Sequence, residues 1–353
     1  MIAFVGSWLV LATLFTVVTL FRLALSPTLS PAGERETAGR VLLLRPFDEP
    51  TAREVQNLSA PLPPGVRQVV LAAFRPPSAV RGEWLPSDPP CGNRKAGHLA
   101  YALATLPREA DEVVVCADAD VQVTQALLAS LVAPVLRGAA LCTAAPVPEG
   151  ALDSAGHALR GLLSRTHHAF VALDAMAAGA PAVCGKVMAL GPQAIAELPR
   201  LVDCIGEDLE LSRRLHARGH RVALAHVSAR TPAAPQSLFS AIQRITRWMQ
   251  VLRAHRPSLY PTVPLLFAPT LPLAALALWS QDAWLLGGLG ALLVSRVALS
   301  VRLTGLSLPA LWEWLAGEAL LLASFLRSLV LRDIVWRGRR LEVRAGGLIK
   351  VVW

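Results

Sequence analysis

The chain has 353 residues, of which 54% are hydrophobic and only 17% are charged. This composition excludes an average soluble globular protein, in which about a quarter of the residues are charged. The formal net charge is +9, and Lys95, Lys186 and Lys350 are the only lysines, so nearly all of the positive charge is arginine.

The first predicted element is a hydrophobic helix at residues 1–25. It contains one charged residue, Arg22, and reaches the length of about 20 apolar residues that a bilayer crossing requires. A cleaved signal peptide is the alternative, but no basic segment precedes the apolar core and Ala-x-Ala is absent. We therefore predict a retained anchor. Basic residues follow it, so the positive-inside rule places the next domain in the cytoplasm and the N-terminus outside.

After a polar linker, residues 40–256 have ordinary soluble composition and form the predicted soluble domain. Its short apolar runs predict strands, and the segments between them predict helices. The strands are expected at 41–44, 68–73, 112–116, 139–144 and 183–190, and the helices at 51–58, 96–106, 124–137 and 208–218. Residues 159–178 are apolar enough either to lie on the bilayer or to pack as a core helix. This alternation predicts an α/β fold with a mostly parallel sheet and helices on both faces. The Pro-rich stretch 75–92 predicts a loop.

The domain ends in an amphipathic helix predicted at 238–252. Its apolar residues lie opposite arginines, which is typical of a helix in the membrane interface. An ordinary surface helix packed on the core fits the same pattern, and both interpretations stay open.

Three hydrophobic stretches follow within residues 263–331, and the last contains Glu313 and Glu318, which are costly in lipid. Three full crossings would place the basic tail, residues 332–353, outside the cell, against the positive-inside rule. We therefore expect one re-entrant or interfacial stretch and a multi-pass protein of the inner, cytoplasmic membrane. The arginines of the tail suit anionic lipid head groups, a phosphate-bearing substrate or a purely topogenic role, and we expect no nucleic-acid partner.

Five cysteines show no paired C-x-x-C spacing. An odd number of cysteines in apolar surroundings indicates reduced thiols in the core, not disulfides or a zinc site.

An acidic pair, Asp118 and Asp120, follows the third predicted strand. In parallel sheets ligands bind beyond the carboxyl ends of the strands. Two carboxylates in an extended segment point the same way and can share Mg²⁺ or Mn²⁺, which bind through one or two carboxylates plus substrate phosphates. A solvated acidic turn is the simpler alternative. No glycine-rich phosphate-binding motif is present, which disfavours a nicotinamide or P-loop site.

Two further motifs carry charge. Asp208 follows Glu207 at a predicted helix start, where it is either a capping acid or a general base. Arg244, Arg247 and Trp248 share one helix, where the arginines match phosphate oxygens and Trp248 suits stacking or the bilayer interface.

Together these motifs resemble a known family. The order Asn93-Arg94-Lys95, Asp118-Ala119-Asp120, Glu207-Asp208 and Arg244-x-x-Arg247-Trp248 is similar to processive-type glycosyltransferases of the GT-A fold. The ceramide glucosyltransferase-like family, which includes the bacterial hopanoid-associated glycosyltransferases, also resembles this chain in its C-terminal stretch, residues 336–347.

The resemblance implies an inverting, membrane-bound hexosyltransferase. A hexose or N-acetylhexosamine would move from a UDP-sugar to the hydroxyl of a ceramide-like or hopanoid lipid, with Asp208 as the base. Asp118 and Asp120 would hold Mg²⁺ or Mn²⁺. The expected substrate-binding residues are Arg45, Lys95, Asp118, Glu207, Arg244, Arg247 and Trp248.

One departure from the family pattern concerns the donor. These enzymes usually carry an acidic residue after the second strand, in contact with uridine, whereas this chain reads Ala73-Phe74-Arg75-Pro76-Pro77. Either Asp48 or Asp88 substitutes, or the base is held otherwise, or the enzyme is impaired. A catalytically impaired relative acting as a membrane-bound binding or scaffold subunit is therefore the alternative function. A transporter is disfavoured by the size of the soluble domain.

Overall fold

A computed structural model describes residues 1–25, 40–48, 51–109, 111–149, 153–177, 183–232, 237–331, 333–336 and 339–352. The helices are α1 (Ile2–Leu25), α2 (Ala52–Leu58), α3 (Arg94–Thr105), α4 (Gln125–Leu136), α5 (Ser154–Ala177), α6 (Pro192–Glu197), α7 (Glu207–Ala217), α8 (Leu238–His255), α9 (Thr270–Ser280), α10 (Ala283–Thr304) and α11 (Leu308–Val330). Most of the predicted linker, together with Arg332 and Arg337 of the predicted tail, lies outside the described residues.

The strands are β1 (Val41–Pro46), β2 (Val66–Ala72), β3 (Glu83–Pro86), β4 (Val113–Ala117), β5 (Leu141–Thr143), β6 (Pro146–Glu149), β7 (Val187–Leu190), β8 (Val222–Leu224), β9 (Ala229–Pro232), β10 (Asp333–Trp336), β11 (Arg339–Val343) and β12 (Ile349–Val352).

The chain divides into two compact units, each built from three segments. The sheet unit comprises Thr28–Val147, Ala180–Pro232 and Leu341–Trp353. The helical unit comprises Met1–Pro27, Pro148–Gly179 and Ala233–Arg340. The predicted domain boundaries at 25, 40, 256 and 263 stay predictions.

The sheet unit contains a seven-stranded sheet in the order β3-β2-β1-β4-β7-β5-β8. The strands from β3 to β4 are parallel to one another, and so are β5 and β8. Only β7 runs antiparallel to its neighbours, β4 and β5. The prediction of a mostly parallel α/β sheet is confirmed.

Alternation along the central strands builds a core on each face of the sheet. In β1, Leu42 and Leu44 belong to one apolar cluster, and Val41 and Leu43 belong to the other. Successive side chains of a strand point to opposite faces, so a strand buried on both faces is apolar throughout. This explains why the sequence shows continuous hydrophobic runs at these strands.

The prediction of a loop over the whole of 75–92 is wrong at β3. This strand pairs in parallel with β2 at the edge of the sheet, with Val69 opposite Glu83. Three of its four residues are exposed and it ends in Pro86, so it lacks the apolar pattern that reveals a buried strand.

In the helical unit, α5 and α11 pack closely through two glycines. A Cβ added to Gly161 would lie 2.3 Å from the carbonyl carbon of Glu313, and one added to Gly317 would lie 2.5 Å from the backbone nitrogen of Leu162. Only glycine permits this approach, as at the small-residue contacts between membrane helices.

The two acids of α11 are buried and paired. Glu318 contacts Arg165 at 2.7 Å and Arg296 at 3.3 Å, and its second oxygen accepts from the backbone N–H of Thr270. Glu313 pairs with Arg160 and His157. Both carboxylates therefore face protein, as the sequence predicted for acids in an apolar segment.

Two helices of the described chain are long and apolar enough to cross a membrane. They are Ile2–Ala24 within α1 and Ala283–Thr304, which is α10. One precedes and the other follows the segments that form the seven-stranded sheet. In length and composition these two helices agree with the predicted anchor and with one of the predicted C-terminal membrane stretches.

Candidate active site

The acidic pair lies where β4 ends, in the sheet unit. Ala117 pairs with Val187 in the antiparallel ladder, and the Asp118 N–H donates to the carbonyl oxygen of Lys186 at 2.8 Å, one residue further along. Because β7 runs antiparallel to β4, the residues that begin β7 lie at the edge where β4 finishes. The topology thus brings Lys186 beside Asp118.

The ammonium group of Lys186 bridges the two aspartates. Its Nζ lies 3.1 Å from Oδ2 of Asp118, and 2.9 and 2.6 Å from Oδ1 and Oδ2 of Asp120. The Asp118 and Asp120 side chains are 27% and 34% exposed, so a ligand can reach this edge.

A second lysine, Lys95, lies on the other side of Asp118. It belongs to the first turn of α3, which Asn93 caps by accepting from the Ala96 N–H at 3.2 Å. Its Nζ contacts Oδ1 of Asp118 at 2.9 Å and Oε1 of Glu207 at 3.4 Å, and it donates to the Gly185 carbonyl. Burial alone would lower the pKa of Lys95, but these carboxylates raise it above its ordinary value.

These lysines keep Asp118 ionised. Burial would raise the pKa of its carboxyl group, but the charges of Lys95 and Lys186 outweigh burial and hold that pKa below its usual range.

The acids Glu207 and Asp208 open α7. Gly206 caps this helix with φ 71°, a left-handed conformation that favours glycine. Glu207 is buried, and its Oε2 accepts from Nδ2 of Asn93 at 2.8 Å. Oδ2 of Asp208 accepts from the Gly185 N–H at 2.5 Å, and Oδ1 accepts from the Leu209 N–H at 2.9 Å.

The environment of Asp208 raises its pKa to about 6, mainly through burial and then through the neighbouring charge of Glu207, with Lys95 opposing both. A carboxyl group with such a pKa is ionised at neutral pH and remains basic enough to accept a proton from a reacting group.

Gly185 lies between Asp208 and Lys95. A Cβ at this position would lie 3.0 Å from Oδ2 of Asp208 and 3.2 Å from Nζ of Lys95. The two functional groups therefore converge on the same point of the backbone, and glycine leaves the space between them open.

Arg45 lies beneath the acidic pair and not at its surface. Its side chain is 1% exposed, and Nη2 donates to the carbonyl oxygens of Ala119 and Val121, both at 3.0 Å. Nδ2 of Asn57 donates to the same two oxygens at 2.7 Å. These contacts fix the Asp118–Val121 turn, and the predicted substrate-binding role of Arg45 stays a prediction.

Both predicted substitutes for the uridine-binding acid pair with one arginine. Arg94 contacts Asp48 at 3.1 Å and Asp88 at 2.7 Å. Asp48 also contacts Nε2 of His98 at 3.1 Å. Burial opposes ionisation of Asp48, but its hydrogen bonds to His98 and Arg94 hold its pKa below the usual range. Asp88 is mostly exposed.

The arginine motif belongs to the helical unit. Arg244 and Arg247 lie on α8 and line a pocket of about 260 Å³, to which α11 contributes Arg327. The guanidinium carbon of Arg244 lies 5.5 Å from the centroid of the Trp248 ring. The sheet unit thus brings together Lys95, Asp118, Asp120, Glu207 and Asp208, whereas Arg244, Arg247 and Trp248 form a group in the other unit.

Sequence reasoning missed Lys186 and Gly185. A signal for Lys186 was present, because the chain has 34 basic residues and only three lysines, two of which meet in this cluster. All five cysteines are free, and all but Cys91 are buried.

The acidic pair suits a divalent cation. Carboxylate oxygens are ligands for Mg²⁺ and Mn²⁺, and the Lys186 ammonium already stands as a cation between Asp118 and Asp120. Among the described residues, no group of three or more His, Cys, Asp and Glu side chains is placed to hold a metal ion. The pair therefore fits an ion that takes its remaining ligands from substrate and water.

No curated protein matches the sequence significantly. The structure is similar to that of the mannosyltransferase PcManGT from Pyrobaculum calidifontis in complex with GDP-Man and Mn²⁺, with 16% identity and a TM-score of 0.45 over 92% of this chain and 99% of the other. A similarity of this extent assigns no ligand to this chain.

The family model named Glycosyl transferase family 21 matches residues 85–349. This span includes Lys95, the acidic pair, Lys186, Asp208 and the arginine motif. It covers well over half of the sequence, and the protein therefore belongs to glycosyltransferase family 21.

Proposed function

We propose that this glycosyltransferase moves a hexose or N-acetylhexosamine from a UDP-sugar to the hydroxyl of a lipid, with Asp208 as the general base and inversion at the anomeric carbon. The observation that carries the proposal is the position of Asp208. The pKa of its carboxyl group is raised. The carboxylate of Asp208 and the ammonium of Lys95 both lie next to Gly185, and Lys95 in turn contacts Asp118.

In the proposed reaction, Asp208 accepts the proton of the acceptor hydroxyl as its oxygen attacks the anomeric carbon. The bond between that carbon and the diphosphate oxygen breaks, and UDP leaves with the electron pair. The backbone N–H groups of Gly185 and Leu209 hold the two carboxylate oxygens of Asp208. This fixed orientation favours attack from one direction, because positioned groups lower the entropic part of the barrier.

A divalent cation, when bound to Asp118 and Asp120, would neutralise charge on the departing diphosphate. Lys95 keeps Asp118 ionised for this purpose. Mg²⁺ and Mn²⁺ remain the proposed ions.

The apolar surface of the helical unit supports a lipid acceptor and a membrane location. Several of its large hydrophobic side chains are more than 80% exposed, namely Trp279, Trp284, Leu306, Leu308 and Val330. Exposed apolar surface of this extent is costly in water and ordinary in lipid. We propose the inner, cytoplasmic membrane as the site of the reaction, with the sheet unit in the cytoplasm.

The arginine pocket of the helical unit supports recognition of phosphate. Arg244, Arg247 and Arg327 line it, and guanidinium groups bind phosphate oxygens through paired hydrogen bonds. We propose that Arg244, Arg247 and Trp248 contact the diphosphate of the donor and the acceptor.

The first experiment measures release of UDP from UDP-glucose, UDP-galactose and UDP-N-acetylglucosamine by the purified protein, with Mg²⁺ or Mn²⁺ and extracted lipid. Activity that is lost in Asp208→Asn supports the proposal. If the wild type and this variant both leave every donor intact, the impaired scaffold subunit replaces it. Mass spectrometry of lipids from cells with and without the protein then gives the sugar mass and the acceptor together.

A further inference from the structure

The ammonium of Lys186 occupies the position between Asp118 and Asp120 that suits a cation. It contacts three carboxylate oxygens at distances between 2.6 and 3.1 Å. The carboxylates therefore hold a cation without any metal ion. A divalent ion that uses both carboxylates has to take this place.

The basic residue at position 186 is a lysine, although most basic residues of this chain are arginines. Only three of its 34 basic residues are lysines. Arginine has a planar, extended group, whereas the lysine ammonium is a compact point charge on a flexible four-carbon stem. Of the basic side chains, lysine most resembles a metal ion and moves away most easily.

A hydrogen bond holds the backbone of Lys186 in place, whereas the ammonium group at the end of its side chain lies beside partly exposed carboxylates. The Lys186 carbonyl accepts from the Asp118 N–H at 2.8 Å, directly before β7. The side chains of Lys186 and Lys95 are both 17% exposed, so the two lysines differ in their partners: Lys186 contacts the partly exposed Asp120. Lys95 differs, because it holds Asp118, the buried Glu207 and the Gly185 carbonyl together.

We propose that Lys186 is a resident cation, which holds Asp118 and Asp120 together and must leave them before a divalent cation binds. A divalent ion arriving alone would displace the ammonium and repel it. A nucleoside diphosphate arriving with the ion offers the ammonium new phosphate oxygens. The ion therefore binds together with the nucleotide and not before it. This coupling rests on the proposed function, because it requires a nucleoside diphosphate donor.

The experiment is a titration of the purified full-length protein with Mn²⁺, followed by the electron paramagnetic resonance signal of free Mn²⁺. It is run without nucleotide, with UDP and with GDP, and each nucleotide is also titrated without protein, because a diphosphate binds Mn²⁺ by itself. We expect weak binding of Mn²⁺ alone to the wild type and binding about tenfold or more tighter with the nucleotide, the effect expected of hydrogen bonds to charged groups. In Lys186→Met, Mn²⁺ alone should bind about tenfold tighter than to the wild type.

Further variants check the position and the fold. Lys186→Gln removes the charge but keeps a hydrogen-bond donor, so it serves if the methionine variant fails to fold. Adding Asp120→Asn to Lys186→Met should abolish the gained Mn²⁺ binding. Lys350→Met, which changes an exposed lysine, should match the wild type.

Equal Mn²⁺ affinity in the wild type and both Lys186 variants overturns the proposal. Tight binding of Mn²⁺ to the wild type without nucleotide does the same. If the Lys186 variants gain affinity for Mn²⁺ but equilibrium dialysis shows that neither UDP nor GDP binds with or without Mn²⁺, the proposed donor is wrong and the coupling to the nucleotide is overturned with it.

Discussion

Oδ2 of Asp208 accepts a hydrogen bond from the backbone N–H of Gly185 at 2.5 Å. This contact ties the start of α7 to the segment that leads into β7, and Lys95 donates to the carbonyl oxygen of the same glycine. The proposed base and the lysine that pairs with Asp118 are therefore positioned by one residue without a side chain.

Removing the base should abolish transfer while leaving the fold intact. Asp208→Asn keeps the size of the side chain and one of the two hydrogen bonds from the backbone N–H groups of Gly185 and Leu209, but it cannot accept the proton. We expect kcat to fall about 10²- to 10⁴-fold, the usual contribution of a general base. Release of UDP measures the loss, and the thermal unfolding midpoint serves as the control. Activity within a few-fold of the wild type would exclude Asp208 as the base.

The pH dependence of transfer should report the same group. Asp208 acts only when deprotonated, and its pKa is raised to about 6 by burial and by Glu207. Activity should be full at pH 7 to 8 and decline as the pH falls through about 6. An acidic limb near the ordinary pKa of a carboxyl group, about 4, would contradict this. Glu207→Gln removes the neighbouring charge and should move the limb to lower pH.

Filling the space at Gly185 should reduce turnover. In Gly185→Ala the new methyl group would lie 3.0 Å from Oδ2 of Asp208 and 3.2 Å from Nζ of Lys95, and both must shift. We expect kcat to fall by roughly tenfold, because these groups shift by only a few tenths of an ångström and a full displacement of about 1 Å at a reacting group lowers the rate about 100-fold. The matched control is Gly290→Ala, where a Cβ meets nothing within 4 Å. Equal kcat in both variants would show that Gly185 does not position the base.

Arg45→Met should weaken the turn that carries the acidic pair. The variant removes the donor of two hydrogen bonds to the carbonyls of Ala119 and Val121, leaving Asn57 as their remaining described side-chain donor. We expect a loss of about 1–3 kcal/mol in the free energy of unfolding, together with lower activity. Arg53→Met, at an exposed position on α2, is the control. Lower activity with unchanged stability would instead favour a direct role for Arg45 at the substrate.

The buried pairs of the helical unit should matter for stability and not for chemistry. Glu318→Ala leaves Arg165 and Arg296 buried without their carboxylate. We expect a loss of about 3–5 kcal/mol in stability, since an uncompensated buried charge has that cost. Thermal unfolding in detergent measures it. Glu318→Gln keeps hydrogen-bonding oxygen and nitrogen atoms and should lose less, and an equal loss in both variants would show that the charge itself is decisive.

Much of the sheet could be predicted from local sequence. Strands buried on both faces, such as β1 and β4, are continuous apolar runs. The helices α3 and α4 are capped by Asn93 and Thr124, whose side chains accept hydrogen bonds from backbone N–H groups of the first turn. The edge strand β3 could not be predicted in this way, because its mostly exposed residues carry no hydrophobic pattern.

The candidate site also contains features that the local sequence predicts and features that it does not. The acidic motif after β4 and the acids at the start of α7 are local features, and their order along the chain resembled a family before any neighbour in space was known. The burial of Arg45 could not be predicted from the sequence. An arginine near the end of a strand can point into the protein or into solvent, and the local sequence is the same in both cases.

The α/β class, the order of the charged motifs and the apolar segments at both ends follow from the amino-acid sequence, because they depend on residue type and on periods of two or 3.6 residues. The antiparallel direction of β7 beside β4 became apparent in the folded chain, and this direction places Lys186 between Asp118 and Asp120. Neighbours across a sheet depend on strand order and direction, which no local period encodes.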